Sequence, residues 1–147
     1  MIRLAQPADT EKIMLLWLRS TLAAHPFIEA SYWFESAPMV RETFLPQAVT
    51  WVSTANDGVI NGFISVLNQQ FIGALFVDEN IYGLGIAQQL MHEVKDRYPL
   101  LLLEVYQQNP RAVAFYRKED FLVVNDTVHP GTGLPTWVLR WYQPLSE

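Results

Sequence analysis

Apolar residues recur along the chain in short continuous or alternating runs, which predict strands, and at every third or fourth position, which predicts helices. The short apolar segment Ile2–Ala5 predicts a first strand. Apolar residues at helical spacing follow, with Leu16 and Trp17 on the predicted buried face. Asp9 is a suitable N-cap for this helix. The helix should end near His25-Pro26, because proline has no N–H and disfavours helical geometry in the residue before it.

The middle of the chain combines a second helical segment with a predicted β-hairpin. Residues 31–45 predict one helix interrupted by Pro38, or two short helices. Three adjacent aromatic residues near its start cannot all face the core, so some of them should line a cleft: Tyr32, Trp33 and Phe34. Two apolar segments then flank a turn sequence at residues 56–58. Its glycine, Gly58, supports positive φ, and the pattern predicts a hairpin.

The second half of the chain alternates strands with helices. The predicted strands are Phe71–Val77, Leu100–Val105, Phe121–Val124 and Pro135–Trp141. One predicted helix follows Gly85 and ends near Tyr98-Pro99, with Ile86, Leu90, Met91 and Val94 on its buried face. Another covers Asn109–Lys118. The order β, α, α, β, β, β, α, β, α, β, β predicts a single domain over residues 1–147, of the α/β class with an α+β-like mixed sheet.

Composition and charge narrow the class of protein. The chain has 147 residues, half of them hydrophobic, which is enough to bury a core without metal or disulfide help. Cysteine is absent, which excludes thiolate metal sites and a cysteine nucleophile. The net charge is −5 and no basic run occurs, so nucleic-acid binding is not expected, whereas cationic amines are attracted. Without a signal-like start or an apolar run of about 18 residues, we expect a cytoplasmic protein that does not enter a membrane.

Residues 75–94, "LFVDENIYGLGIAQQLMHEV", contain the first candidate for chemistry. Gly83 and Gly85 separate an apolar run from an amphipathic helix. Glycines in such a turn allow positive φ. They also let an anion approach the N–H groups of a helix start, which lack partners within the helix. The residues alone leave an ordinary turn and an anion site equally open.

Two common phosphate-binding motifs do not fit this turn. A dinucleotide-binding fingerprint needs a third glycine where Gln88 stands, and it should follow its strand without the interval of residues 78–82. Too little chain follows for the second half of such a fold. The P-loop pattern is excluded because no Gly-Lys-Ser/Thr occurs.

Residues 82–87 instead resemble the pyrophosphate-binding motif of the GNAT superfamily of acetyl-CoA-dependent N-acetyltransferases, Arg/Gln-x-x-Gly-x-Gly/Ala. Gly85 and Ala87 match its two small positions, and Tyr82 stands where Arg or Gln is usual. A second segment, "NPRAVAFYRKEDF" at 109–121, is similar to the family's Asn-x-x-Ala-x-x-x-Tyr-x-x-x-Gly-Phe. Asp120 replaces the glycine of that segment, at a helix end where Asp tolerates left-handed geometry better than most residues.

The resemblance implies a GNAT fold, with a mostly antiparallel central sheet that splays between strands four and five and is flanked by helices. "HPFI" at 25–28, "LEVYQQN" at 103–109 and "LPTW" at 134–137 look like a subgroup of small, single-domain bacterial members. The resemblance also implies direct transfer of the acetyl group from acetyl-CoA to a primary amine (protein lysine, N-terminus or small amine) in a ternary complex. No metal is expected, and a monomer and a homodimer both stay open. A catalytically inactive acyl-CoA sensor of the same fold is the alternative.

The cofactor residues follow from the same resemblance. Backbone groups of the fourth strand should pair with the pantetheine arm of the cofactor, at Leu75, Phe76 and Val77. Main-chain amides should hold the diphosphate, at Tyr82, Gly83, Leu84, Gly85, Ile86 and Ala87. Asn109 occupies the position that contacts the arm.

Five side chains are candidates for the reaction and for acceptor binding. Tyr116, at its matched spacing, is expected to donate a proton to the leaving sulfur, although a tyrosine there also suits a buried helix face. Glu104 is the leading base, acting through water, and a hydrogen-bonded strand-end glutamate explains it as well. His25 and Glu29 are expected at the amine's entrance, where a capping histidine is the alternative. Phe71 should wall the acetyl site, unless it is ordinary core.

Overall fold

The computed structural model of the chain describes residues 1–81 and 83–145. Its strands are β1 (Ile2–Leu4), β2 (Val49–Thr54), β3 (Ile60–Leu67), β4 (Phe71–Val77), β5 (Leu100–Tyr106), β6 (Leu122–Val128) and β7 (Pro135–Tyr142). Its α-helices are α1 (Thr10–Ala24), α2 (Ala30–Met39), α3 (Leu45–Gln47), α4 (Ile86–Lys95) and α5 (Pro110–Lys118). The predicted order of strands and helices is confirmed.

All seven strands form one mixed sheet in the order β1-β2-β3-β4-β5-β7-β6. Neighbouring strands are antiparallel except β4 and β5, which run parallel. These two pair only at Phe71 and Leu102, where the Leu102 N–H also donates to the Gln70 carbonyl at 2.7 Å. Beyond that point they separate, which confirms the predicted splay between strands four and five.

Helices cover both faces of the sheet, and each face has its own hydrophobic core. On one face α1 packs its apolar side against β2, β3 and β4, through Ile13, Leu16, Trp17, Val52, Phe63 and Ala74. On the other face α4 packs against the sheet through Leu90, Met91 and Val94, each fully buried. The helical spacing in the sequence therefore identified the buried faces of α1 and α4 correctly.

The second helical segment is irregular at a different place from the one predicted. Helix α2 continues through Pro38, and the irregularity follows it as a π-helical turn over Val40–Phe44. Within that turn the Leu45 N–H donates to the Val40 carbonyl. Pro38 has no N–H to donate, yet the helix continues past it, and the Val40 N–H again donates to the Ser36 carbonyl.

The remaining differences lie at element ends. β1 is one residue shorter than predicted, and β6 extends to Val128. Asp9 lies at the N-cap of α1, yet its carboxylate accepts from the Gln6 N–H at 2.7 Å and from Arg3 at 2.8 Å. Asp9 therefore fastens β1 to the start of α1. Among the described residues, every helix is too short or too polar to cross a membrane.

Candidate active site

A cleft of about 930 Å³ opens where β4 and β5 separate. The inner edges of both strands line it, together with the turn before α4, the start of α5 and the end of α1. It brings together most of the predicted site residues: His25, Leu75, Phe76, Val77, Gly83, Gly85, Ile86, Ala87, Glu104, Asn109 and Tyr116. Residues far apart in sequence therefore meet because the sheet splits.

Among the described residues, three predicted site residues are not part of the cleft lining. Tyr82 lies outside the described residues. Leu84 is 68% exposed, and its N–H already donates to the Ile81 carbonyl at 3.3 Å. Glu29 is exposed at the start of α2. Phe71 lies at the closed end of the split, where β4 still pairs with β5.

The glycine turn has a left-handed backbone and open space in front of it. Gly83 has φ +88° and Gly85, the N-cap of α4, has φ +80°. A Cβ at either position meets no atom of the described residues within 4 Å. Glycine is therefore required by the backbone rather than by crowding. A turn of this kind leaves the amides at the start of α4 approachable from the cleft.

A buried ion pair connects α4 to the end of α5 beside the cleft. The Glu119 carboxylate lies 3.3 Å from Lys95 Nζ and 3.3 Å from His92 Nε2, and it also accepts from Gln88. Three side chains along one face of α4 thus hold the end of α5. His92 is 59% exposed and contacts Glu119 with its ring. After Glu119, Asp120 ends the helix at φ +69°, in the left-handed region predicted for it.

Strand β4 carries a bulge at the cleft. Ser65 pairs with Ala74 and Val66 with Ile72, which leaves Gly73 between them without a partner on β3. A Cβ at Gly73 would collide with the ring of Phe44. The glycine is required by this close packing, and the bulge bends β4 beside the cleft. Sequence reasoning missed it, although a glycine inside a strand pattern is the usual signal for a bulge.

Tyr116 is enclosed by apolar groups at the edge of the cleft. Its ring packs against Phe115 and Phe121, with centroids 5.4 Å and 5.8 Å away. Burial raises the pKa of Tyr116 far above its ordinary value of 10. The hydroxyl has no hydrogen-bond partner within residues 1–81 and 83–145. The hydroxyl is therefore available to donate to a ligand in the cleft.

Asn109 serves the local structure of α5. Its side-chain oxygen accepts from the Ala112 N–H at 3.3 Å, which caps the helix that carries Tyr116. Pro110 follows at the first helical position, where a missing N–H has no cost. Asn109 also lines the cleft, and its side-chain nitrogen makes no hydrogen bond within the described residues.

Glu104 lies on the opposite wall of the cleft. Thr136 Oγ1 donates to Glu104 Oε2 at 2.6 Å. Thr136 itself is buried and lies opposite Tyr106 in the β5–β7 pair. Among the described residues, Oε1 of Glu104 accepts no hydrogen bond. One carboxylate oxygen is thus fixed, and the other remains available to water or to a ligand.

A cluster of aromatic rings lines the end of the cleft away from the glycine turn. We call it the ring cluster, and it comprises His25, Tyr32, Trp33, Tyr106 and His129. His25 stacks on Trp33 at 5.0 Å and meets the edge of Tyr106 at 5.3 Å. His129 lies 5.7 Å from Tyr106. Sequence reasoning missed Tyr106 and His129; Tyr106 had a signal, since it lies two residues after Glu104 and so shares its strand face.

The ionisation of two members of the ring cluster is shifted by burial. Desolvation lowers the pKa of His25 below its ordinary 6.5, against a smaller opposing effect of its bond to Thr21. Burial also raises the pKa of Tyr106, whose hydroxyl accepts from Thr132 Oγ1 at 3.3 Å. Both side chains are therefore neutral at pH 7. In the described part of the chain, no three His, Asp or Glu side chains converge to hold a metal ion.

Known proteins resemble this chain over nearly its whole length. Residues 24–133 match the family described as the acetyltransferase (GNAT) domain. The chain is 42% identical over 141 residues to the peptidyl-lysine N-acetyltransferase YiaC of Escherichia coli K12, covering 96% of each chain. It is 34% identical over 134 residues to the peptidyl-lysine N-acetyltransferase YjaB of the same strain, covering 91% of this chain and 90% of YjaB.

Solved structures show the same architecture. The solution structure of apo YjaB from Escherichia coli superposes with a TM-score of 0.83 at 32% identity, and covers 95% of each chain. The PaiA N-acetyltransferase of Thermoplasma acidophilum, crystallised in complex with coenzyme A, gives a TM-score of 0.81 at 18% identity. That comparison covers 97% of this chain and 98% of PaiA, and it supports the fold alone.

Proposed function

Because this chain belongs to the GNAT family of acetyl-CoA-dependent N-acetyltransferases, we propose that its acceptors are lysine side chains of proteins. Two relatives that match more than nine-tenths of the chain are named peptidyl-lysine N-acetyltransferases. The acidic net charge of −5 favours a cationic amine over an anionic acceptor. Neutral aromatic rings at one end of the cleft suit the long apolar stem of lysine.

The cofactor is proposed to lie along the split between β4 and β5. Its pantetheine arm pairs with the free edge of β4 at Leu75–Val77, in the manner of an added strand. Its diphosphate meets the amides of Gly83, Gly85, Ile86 and Ala87 at the start of α4, where the partial positive charge of the helix favours an anion. Asn109 contacts the arm from the other side of the cleft. The unpaired strand edges are the observation that supports this placement.

The proposed reaction is a direct attack in a ternary complex. The amine nitrogen bonds to the thioester carbonyl carbon, and the carbon–sulfur bond then breaks. Tyr116 gives its hydroxyl proton to the departing sulfur. The lysine ammonium first loses one proton through water to Glu104, whose second oxygen is available, and Glu104 releases that proton to solvent. After the carbon–nitrogen bond forms, the nitrogen loses a second proton by the same route. Proton transfer through solvent from Glu104 restores the phenol of Tyr116.

The single observation that carries this proposal is the position of the Tyr116 phenol, which lines the cleft at the split of the sheet. It is tested by incubating the protein with acetyl-CoA and a lysine-containing peptide whose N-terminus is blocked, and measuring acetyl-lysine by mass spectrometry. Tyr116→Phe should lower kcat by roughly a hundredfold, the lower bound for removal of a general acid. Its affinity for coenzyme A, measured by calorimetry, should stay within twofold of the unmodified chain.

Tyr142→Phe is the matched control, since Tyr142 is 57% exposed at the end of β7 and does not line the cleft. Acetylation of only an unblocked N-terminus would overturn the lysine assignment. Binding of coenzyme A with no transfer to any amine would instead identify the inactive acyl-CoA sensor. Unchanged turnover in Tyr116→Phe would remove Tyr116 as the acid.

A further inference from the structure

We propose that His25 recognises the acceptor lysine, with its Nε2 atom accepting a hydrogen bond from the amine while the ring cluster holds the side-chain stem. This inference rests on the proposed function and assigns the acceptor end of the same cleft. His25 is thereby a specificity-determining residue rather than the base. The arguments come from its tautomer, its ring neighbours and its position relative to Glu104.

The tautomer of His25 follows from its contacts at the end of α1. Its Nδ1 lies 2.8 Å from the Thr21 carbonyl oxygen and 3.0 Å from the Thr21 hydroxyl oxygen. A carbonyl oxygen only accepts, so Nδ1 carries the proton. In the neutral ring Nε2 is then an acceptor, and it has no partner among the described residues. Since His25 lines the cleft, Nε2 is the ring atom left for a ligand.

The surrounding rings offer a site for a cation and for its apolar stem. Trp33 stacks on His25, and Tyr106 and His129 continue the wall across the cleft. The cation–π pairs among the described residues involve other rings, such as Lys95 with Trp141 and Arg97 with Trp51. The ring surfaces that line the cleft are therefore not paired with a cation of the described chain, and a cation from outside can approach them.

The position of His25 connects this wall to the reacting groups. Its ring meets Tyr106, and Tyr106 shares a strand face with Glu104 two residues earlier. An amine that donates one hydrogen to His25 Nε2 thus has the Glu104 side of the cleft next to it. A second proton of the ammonium leaves through water to Glu104, and the nitrogen lone pair is then free to attack.

The same geometry makes acceptor binding sensitive to acid. The titratable groups around His25 are Tyr32 on α2, Tyr106 and Glu104 on β5, His129 on the β6–β7 loop, and Glu29 exposed beyond the bend. Desolvation keeps His25 neutral at pH 7. Protonation at lower pH removes the acceptor atom and adds a positive charge beside the ammonium. Acceptor affinity should therefore fall below about pH 6.5, while the lysine, with pKa about 10.4, stays charged throughout.

Two substitutions at His25 separate recognition from helix capping. His25→Asn retains an N–H near the Nδ1 position for the Thr21 carbonyl but has no atom at the Nε2 position. We expect its KM for a lysine peptide to rise about tenfold, the effect of one hydrogen bond to a charged group, with the KM for acetyl-CoA unchanged. His25→Gln places a side-chain amide near the Nε2 position, and this amide does not titrate. It should keep KM within threefold at pH 7.5 and lose the rise in KM between pH 7 and pH 5.5.

The ring cluster is tested by two neighbouring residues on α2. Trp33→Ala should raise the peptide KM at least fivefold, whereas Phe34→Ala should leave it unchanged, because Phe34 is 55% exposed and does not line the cleft. Thermal unfolding of each variant shows whether it is folded.

Equal KM values for His25→Asn and the unmodified chain would overturn the proposal. A parallel rise in the KM for acetyl-CoA, or an acid effect that persists in His25→Gln, would overturn it as well.

A binding measurement separates this inference from the proposed function. Calorimetry of the lysine peptide against the complex with coenzyme A reports acceptor affinity without turnover. Binding that weakens in His25→Asn, in a protein that transfers no acetyl group, would support the acceptor site and reject the proposed reaction. Transfer to lysine with a peptide affinity unchanged in His25→Asn would keep the reaction and reject the acceptor site.

Discussion

At the scale of single residues, Tyr116 and Glu104 differ in how much of their hydrogen-bonding capacity the chain itself uses. The Tyr116 hydroxyl is held in an apolar environment without a partner in the described chain, whereas Glu104 is fixed through one oxygen by Thr136. The Tyr116 side chain is partly exposed and lines the cleft, so its hydroxyl can meet a ligand or water there. The arrangement is the one expected of a donor reserved for a leaving group and an oriented acceptor for a proton.

Replacing Glu104 with glutamine tests the proposed base. Glu104→Gln removes the charge, and the amide oxygen still accepts from Thr136. We expect kcat for a lysine peptide to fall about tenfold to a hundredfold at pH 7, because the amine then loses its proton only to solvent. Raising the pH towards 10 supplies neutral amine directly, since the pKa of lysine is about 10.4, and the defect should shrink. The measurement is kcat against pH for both chains.

Glu35→Gln, an exposed position on α2, is a suitable control for the loss of one negative charge. Profiles of Glu104→Gln and of the unmodified chain that run parallel from pH 7 to pH 10 would contradict the role of Glu104. In that case the hydrogen bond from Thr136 would be its whole function, as for an ordinary strand-end glutamate.

The conformational role of a single residue was predictable from sequence where the turn or helix end around it requires a particular backbone geometry. Gly58 and Asp120 have the positive φ values of +85° and +69° that their turn and helix-end positions require. Gly73 was not predicted, because its requirement is set by Phe44, nearly thirty residues earlier. Tyr106 and His129 were missed for the same reason. The contacts of Tyr106 with His25 and with His129 depend on tertiary packing, which no local pattern contains.

At the scale of elements, the turn before α4 decides whether a helix start is available to an anion. Gly85 and Gly58 form a matched pair, with φ of +80° and +85° and no described atom within 4 Å of a Cβ at either. Gly85→Ala and Gly58→Ala should each lower the free energy of unfolding by about 1–2 kcal/mol, the cost of left-handed geometry for an L-residue. Urea unfolding measures this directly.

Only Gly85→Ala should weaken coenzyme A binding, since its new methyl group would occupy the space in front of the α4 amides. We expect at least a tenfold rise in Kd by calorimetry, with Gly58→Ala within twofold of the unmodified chain. Equal affinities in the two variants would show that the glycine turn serves only the connection between strand and helix. That was the alternative left open by the residues themselves.

Element order was predicted almost completely, and element detail less well. Strong helical spacing identified α1 and α4 with their buried faces, and turn residues identified the β2–β3 hairpin. The predicted interruption at Pro38 was wrong, because the helix continues through the proline and the irregularity lies in the π-helical turn that follows. β6 is longer than predicted because pairing with β7 continues beyond the apolar segment, through Asn125 to Val128.

At the scale of the whole molecule, the sheet consists of two halves that meet at one pair of residues. β1–β4 form one half and β5–β7 the other, and Phe71 pairs with Leu102 between them. Hydrophobic patterns place each strand in a sheet but do not say which neighbours separate. The splay was therefore predictable only from the resemblance to a known family. The cleft follows from it, because backbone groups along the diverging edges face open space rather than another strand.

A ligand that fills this split should protect both of its edges. If the pantetheine arm pairs with β4 as an added strand, amides of residues 73–77 gain partners, and local opening of the two halves becomes less favourable. We expect coenzyme A to slow hydrogen exchange at residues 73–77 and at the start of α4, and to raise the melting temperature. Exchange in the β2–β3 hairpin should be unchanged, since that hairpin lies outside the cleft.

ADP reaches the phosphate end only, so it should slow exchange at the start of α4 and leave β4 unaffected. If coenzyme A and ADP gave the same pattern, with β4 unprotected, the split would be a binding site for a nucleotide, and the thioester would have no defined place beside Tyr116.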